Sequence, residues 1–227
     1  MQTKIIGGGT IVPGVEWGVD PTFQAARISI RPYDYALAGQ ILGHYRVAAS
    51  TTAALQSANS IQLSMRWADP SRYFVLQRLS AGLTFVTTVT AQRLDPLILT
   101  VQRSYTANET TNATSILPSG NTGKARVNMG TTLVTQLAVA SAAAGISGGT
   151  RTADGQAASS LTFNPTYGAT NSGGAPTDDL IRYDQLGMHP LVFSVNEGFT
   201  VAWGPTALGT GTATINFIIS WAEVAAF

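Results

Sequence analysis

SIQLSMRWADPSRYFVLQRL, residues 60–79, decides the fold. Ile61, Leu63, Met65 and Trp67 alternate with Gln62, Ser64 and Arg66, the period-two pattern of a strand with one face on a core. ADPSR (68–72) places a proline in a turn, and YFVLQRL then starts a second strand. The two are predicted to form a hairpin closed by a loop of about five residues.

The same period extends in both directions. Upstream, RISIRP sets Ile28 and Ile30 against Arg27, Ser29 and Arg31. Downstream, LTFVTTVTAQ (83–92) is rich in β-branched residues, and LILTVQRSYT (97–106) follows Pro96. Near the end, Leu191, Phe193 and Val195 alternate before Asn196-Glu197-Gly198, and Phe199, Val201 and Trp203 alternate after it. Asn and Gly tolerate the positive backbone angles of tight turns, so a second hairpin is predicted, with Glu197 exposed and ionised at its tip. TATINFIISWAEV (212–224) lines up Ile215, Phe217, Ile219 and Trp221, with Thr214, Asn216 and Ser220 opposite and Ile218 interrupting the polar side. So apolar a strand is expected in the middle of a sheet, or with its second face covered.

Two segments leave the period open. AGQILGHYRVAAS (38–50) fits strand or helix, but Gly39 and Gly43 would each cost a helix about 1 kcal/mol. TTLVTQLAVASAAAG (131–145) has Leu133, Leu137 and Ala140 at helical spacing, yet its β-branched first half equally fits a strand and loop. Little helix is expected. Residues 108–123, 145–156 and 164–179 read as long loops of the partner-contacting kind. Residues 1–25, with GGG and two prolines, read as an extended arm before one β-domain, 26–227. The fold class is therefore all-β, an antiparallel sandwich of possible jelly-roll form.

Composition narrows the function. Only 11% of the 227 residues are charged, against about 25% in an average soluble domain. Thr, Ser, Gly, Ala and Asn fill the deficit, and such a surface is cheaper to bury against a neighbour than a charged one. Lys occurs only at Lys4 and Lys124; the other basic residues are Arg, which enters interfaces with less loss of hydration. A net charge of +1 steers neither nucleic acid nor membrane. There is no cysteine, no leader-like apolar run at the start, and no stretch near the ~18 apolar residues of a membrane span.

Catalytic patterns are absent. His44 and His189 stand in no ligand motif, no G-x-S-x-G elbow accompanies them, and His189 is read as structural. Asn171, Thr177, Asp178, Asp179 and Asp184 offer hard oxygens, but their spacing matches no calcium loop and solvated acids are the plainer reading. GGGT (7–10) and SGGT (147–150) lack a P-loop lysine and read as flexible loop. Asn108 and Asn112 begin glycosylation-type triplets that chance explains in so Asn- and Thr-rich a chain. The densest mix of basic and aromatic residues is Arg31, Tyr33, Tyr35, Tyr45 and Arg46, read as core or protein interface rather than a nucleic-acid surface. Neither metal nor cofactor is expected.

GHYRVAAS (43–50), SMRWADPSRYFVLQRLSAGL (64–83), HPLVFSVNEGFTVAWGP (189–205) and SWAEVAAF (220–227) together resemble a recurrent family of tailed-bacteriophage proteins encoded among virion structural genes. The blocks are strand-and-turn motifs from residue 43 onward, and none carries a catalytic residue. The resemblance implies a virion component made in the host cytoplasm. With the composition, it gives the leading expectation of a non-enzymatic capsid decoration or cement protein. Its partners would be the major capsid protein or other virion proteins, and copies of itself, as a trimer. Trp17, Arg27, Arg31, Tyr33 and Tyr35 are the expected contact residues. A tail, collar or fibre component and a glycan-binding sandwich are the rivals.

Overall fold

The computed structural model describes residues 43–87, 89, 94–125, 127, 129–163, 174–183 and 190–225. The expected arm, the RISIRP strand and the contact residues Trp17, Arg27, Arg31, Tyr33 and Tyr35 lie outside them. The described residues contain no helix. Twelve strands run β1 (Gly43–Ser50), β2 (Ile61–Trp67), β3 (Tyr73–Phe85), β4 (Asp95–Ala107), β5 (Ala113–Ser115), β6 (Gln136–Ala140), β7 (Thr150–Ala153), β8 (Ser159–Phe163), β9 (Gly174–Arg182), β10 (Leu191–Phe193), β11 (Glu197–Trp203) and β12 (Ala213–Val224).

They form two antiparallel sheets packed as a sandwich. The first has the order β1-β12-β3-β10, with β9 also on β3; the second has β5-β6-β2-β11-β4-β7, with β8 also on β4. The pairing is nested: β1 with β12, β2 with β11, β3 with β9 and β10, β4 with β7 and β8. The chain is thus folded back on itself, crossing between sheets at each step from β1 to β4 and again from β10 to β12, while β4 to β8 stay in the second sheet. β5 and β6 extend the second sheet beyond β2.

Alternation identified the inward faces of β2 and β12, whereas Val195, which it set with Leu191 and Phe193, is 43% exposed. Leu63, Met65 and Trp67 of β2 and Ile215, Phe217, Ile219 and Trp221 of β12 are all buried in the single large core cluster. β12 lies between β1 and β3, in the interior of its sheet as expected. Phe74 stands at the hub of the core, stacked on Trp221 at 5.7 Å and tilted against Trp67, Phe193 and Phe199. Each such pair contributes about 0.5–1.5 kcal/mol beyond its buried area.

Both predicted hairpins are corrected. β2 and β3 lie in different sheets, and so do β10 and β11. ADPSR and Ser194–Glu197 are therefore corners that carry the chain across the core. The second corner is closed by the Glu197 amide donating to the Ser194 carbonyl at 3.1 Å, with Asn196 at φ +59°. Alternation is identical in a hairpin and a corner, because it reports which side chains point inward and not which strand lies alongside.

Other boundaries differ too. YFVLQRL and the start of LTFVTTVTAQ are one strand, β3, running unbroken through Ser80-Ala81-Gly82. Gly82 lets β9 approach closely there, since a Cβ would stand 2.7 Å from the Thr177 hydroxyl and 3.3 Å from its Cα. The two ambiguous segments supply strands β1 and β6. The long loops contain β5 and β7, and the third ends in β9, so Asp178 and Asp179 are strand residues. β2 is not half-buried: Gln62 and Ser64 on its outer side are as buried as Leu63.

Candidate binding face and buried acidic centres

Register builds the outer face of the first sheet rung by rung. Arg46 of β1 pairs with Ser220 of β12, which pairs with Arg78 of β3. The next rung is Ala48, Ile218 and Ser80, and the next Ser50, Asn216 and Gly82. Side chains two residues apart share a face, so seven small or neutral residues lie on one side of the sheet with two arginines on its end rung, Ser80 being buried beneath Asp179. Ile218 stands near its centre at 38% exposure. Ser50 donates to Asn216 Oδ1 at 2.6 Å, flattening the far end.

The 123–125 turn raises one wall. The Arg46 amide donates to the Gly123 carbonyl at 2.7 Å, and the Ala125 amide donates to the His44 carbonyl at 2.8 Å, so Lys124 is held beside β1. The result is an open groove of about 440 Å³ lined by Arg46, Ala48, Arg78, Lys124, Ile218 and Ser220 among others. Arg78 Nε meets Asp179 Oδ1 at 2.8 Å, with Ser80 and Arg182 also on that carboxylate. Burial alone would raise the Asp179 pKa; its bonds from Ser80 and Arg78 outweigh that and hold it low. Among the described residues, Lys124 Nζ reaches only the Asn121 amide oxygen, at 3.5 Å.

Glu197 is not a free turn tip. Its Oε2 accepts from the Ser194 amide at 2.8 Å and the Ser194 hydroxyl at 2.9 Å, and its Oε1 pairs with Arg103. Partial burial would push its pKa up, but the Ser194 bonds and the guanidinium outweigh that and hold it below the ordinary carboxylate range. It is ionised, as expected, while its side chain is only 20% exposed. Arg103 also meets Asp154 at 3.3 Å.

Two acids lie deeper. Glu109, fully buried at its side chain, accepts from the Tyr105 hydroxyl at 2.8 Å and the Gly149 amide at 2.7 Å, and pairs with Arg151. The Tyr105 hydroxyl also meets Ser64 Oγ at 2.5 Å, and the Arg151 guanidinium lies 5.7 Å from the Tyr105 ring centre. Gln136 clamps the Glu109 main chain, accepting from its amide at 2.8 Å and donating to its carbonyl at 2.7 Å. This polar layer covers the outer side of β2, which explains why Ser64 is buried. Burial raises the Tyr105 phenol far above its ordinary value, so it stays a donor. Glu223 is the second: both its oxygens accept from the Leu133 amide, at 3.0 and 3.1 Å, and Oε1 accepts from Thr132 and Trp221. Burial pushes Glu223 up despite those donors, and pushes up Tyr45, whose ring stacks on Trp221 at 5.4 Å. Both centres fasten loops to sheets.

The remaining sequence candidates separate. Tyr45 is core, while Arg46 lines the groove. His44 Nε2 hydrogen-bonds Gln77 Oε1. Thr177 and Asp178 are exposed, Asp179 is engaged by arginines, and Asn171, Asp184, His189 and residues 7–10 fall outside the described residues. Among the described residues no three His, Asp or Glu side chains gather to hold a metal. SGGT, read as flexible loop, is instead the seat of Glu109: Gly148 adopts φ +98°, and a Cβ on Gly149 would stand 2.7 Å from the carboxylate carbon. Asn108 Oδ1 accepts from Arg66, and Asn112 Nδ2 donates to the Gly145 carbonyl at 3.1 Å.

Sequence reasoning missed the grouping of Arg46, Arg78 and Lys124, which register and one turn assemble from distant positions. The only trace in the sequence was that both arginines occupy polar positions of alternating strands. No family model matches the chain, and no curated protein and no solved structure is significantly similar to it.

Proposed function

We propose that the chain is a non-enzymatic structural subunit of a tailed-phage particle, a capsid decoration or cement protein that bridges neighbouring capsid subunits as a homo-oligomer. The observation that carries this reading is the outer face of β1-β12-β3, where Ala, Ser, Asn and Ile continue from a rung that carries two arginines. Burying neutral groups that can exchange hydrogen bonds costs far less than burying Lys or Glu, and Arg pairs well at interfaces. Some antiparallel β-sandwiches serve as shell subunits, though the fold by itself licenses many roles, so the reading rests on the surface and on the phage resemblance of its strand-and-turn blocks.

Repeated over a symmetric lattice, many modest contacts of this kind would resist the outward pressure of packaged DNA. Imaging and protein quantification of the purified particle test the reading. Many copies spread over the head are expected. A few copies at the tail or neck would move the assignment to a tail or collar part, and absence from the particle would end it.

A further inference from the structure

We propose that the groove between β1, β12, β3 and the 123–125 turn docks an acidic peptide segment of a partner protein. Arg46 and Arg78 share a rung with Ser220 between them, so their Cα atoms stand about 10 Å apart, two strand spacings. Lys124 adds a third cation on the wall. No carboxylate stands among the described lining residues. Asp179 pairs with Arg78 and, at 3.7 Å, with Arg182, whereas neither Arg46 nor Lys124 forms an ion pair with a described residue. Among the described residues, Arg46 and Lys124 therefore bring positive charge to open space with no carboxylate against them. The Arg46 guanidinium is suited to hold a carboxylate bidentately, and Lys124 adds a point charge beside it.

The floor decides between a peptide and a sugar. Ile218 and Ala48 are aliphatic and exposed, and no aromatic ring stands among the described lining residues for a sugar face to stack on. The edge of β1 adds a second argument. Its even-numbered residues point their main-chain groups away from β12, as the Arg46 amide bond to Gly123 and the Thr52 amide bond to Ala140 (3.1 Å) show. Between those two anchored positions the amide and carbonyl of Ala48 face outward on an exposed residue. An extended chain laid beside β1 would pair with them while its acidic side chains reach Arg46 and Lys124.

The test is a titration of the full-length, isotopically labelled chain with a short alternating Glu-Ala peptide, followed by amide NMR shifts. Saturable shifts at Arg46, Ala48, Lys124, Ile218 and Ser220 are expected, weakening as salt is raised. Arg46→Glu and Lys124→Glu should each weaken binding about tenfold. Arg46→Gln serves as a milder variant should charge reversal disturb the fold, and it should weaken binding in the same direction. No saturable shift, shifts elsewhere on the molecule, or variants that bind like the parent would overturn the proposal. So would a sulfated disaccharide binding the groove when the peptide does not, which would mark a glycan site. The particle experiment is independent: a chain found on the head that ignores the peptide, or one that binds it and is absent from the particle, separates the two readings.

Discussion

Replacing Glu109 with Gln should destabilise the protein by about 3 kcal/mol, toward the lower end of the cost of breaking a buried ion pair. The carboxylate receives three donors: the Tyr105 hydroxyl, the Gly149 amide and Arg151. Gln retains one carbonyl oxygen, so the amide nitrogen must face a donor, and the charge opposite Arg151 disappears. The Arg151 side chain keeps 18% exposure and so some hydration, which places the cost at the lower end. Gln136 still holds the main chain of residue 109, so the loss should stay local. For a domain of this size, 3 kcal/mol corresponds to a fall in Tm of about 6–12 °C. Thermal and urea unfolding followed by emission of the buried Trp67, Trp203 and Trp221 would measure it. In an Arg151→Met background the same substitution should cost at least about 1 kcal/mol less, because contacting partners are not additive. A cost under about 1 kcal/mol, or strict additivity with Arg151→Met, would refute the view that this pair anchors the loops over β2.

Two further outcomes follow from the same contacts. Gly198→Ala should prevent folding or cost more than about 3 kcal/mol, since a Cβ there would stand 2.0 Å from the Met65 carbonyl oxygen and 3.1 Å from the Tyr105 ring. Gly155→Ala, which meets nothing within 4 Å, should change stability by less than about 0.5 kcal/mol; comparable losses in both would show that steric contact is not the cause. Glu197→Gln should be less stable than the parent at neutral pH and equal to it in strong acid. The folded pKa of Glu197 is depressed, so its contribution is present above the unfolded carboxylate value and is lost as pH falls through the folded one. Parallel unfolding curves across pH 2–7 with a constant gap between the two proteins would contradict this assignment of the Ser194 and Arg103 contacts.

By itself the sequence determined the class and the inward faces of β2 and β12. Ile215, Phe217, Ile219 and Trp221, or Leu63, Met65 and Trp67, needed only the period of two, because successive side chains of a strand point to opposite sides whatever the neighbours are. Glu197 was also readable as ionised, and β12 as an interior strand. The tertiary structure alone decided which strand lies beside which. It turned two expected hairpins into corners, since pairing along the hydrogen-bonding direction leaves no mark on alternation. It also set Arg46, Ser220 and Arg78 on one rung, brought Lys124 alongside, and seated Glu109 on Gly149. Those groupings arise from register between residues far apart in the chain, and register is fixed by packing the whole core rather than by any local run of residues.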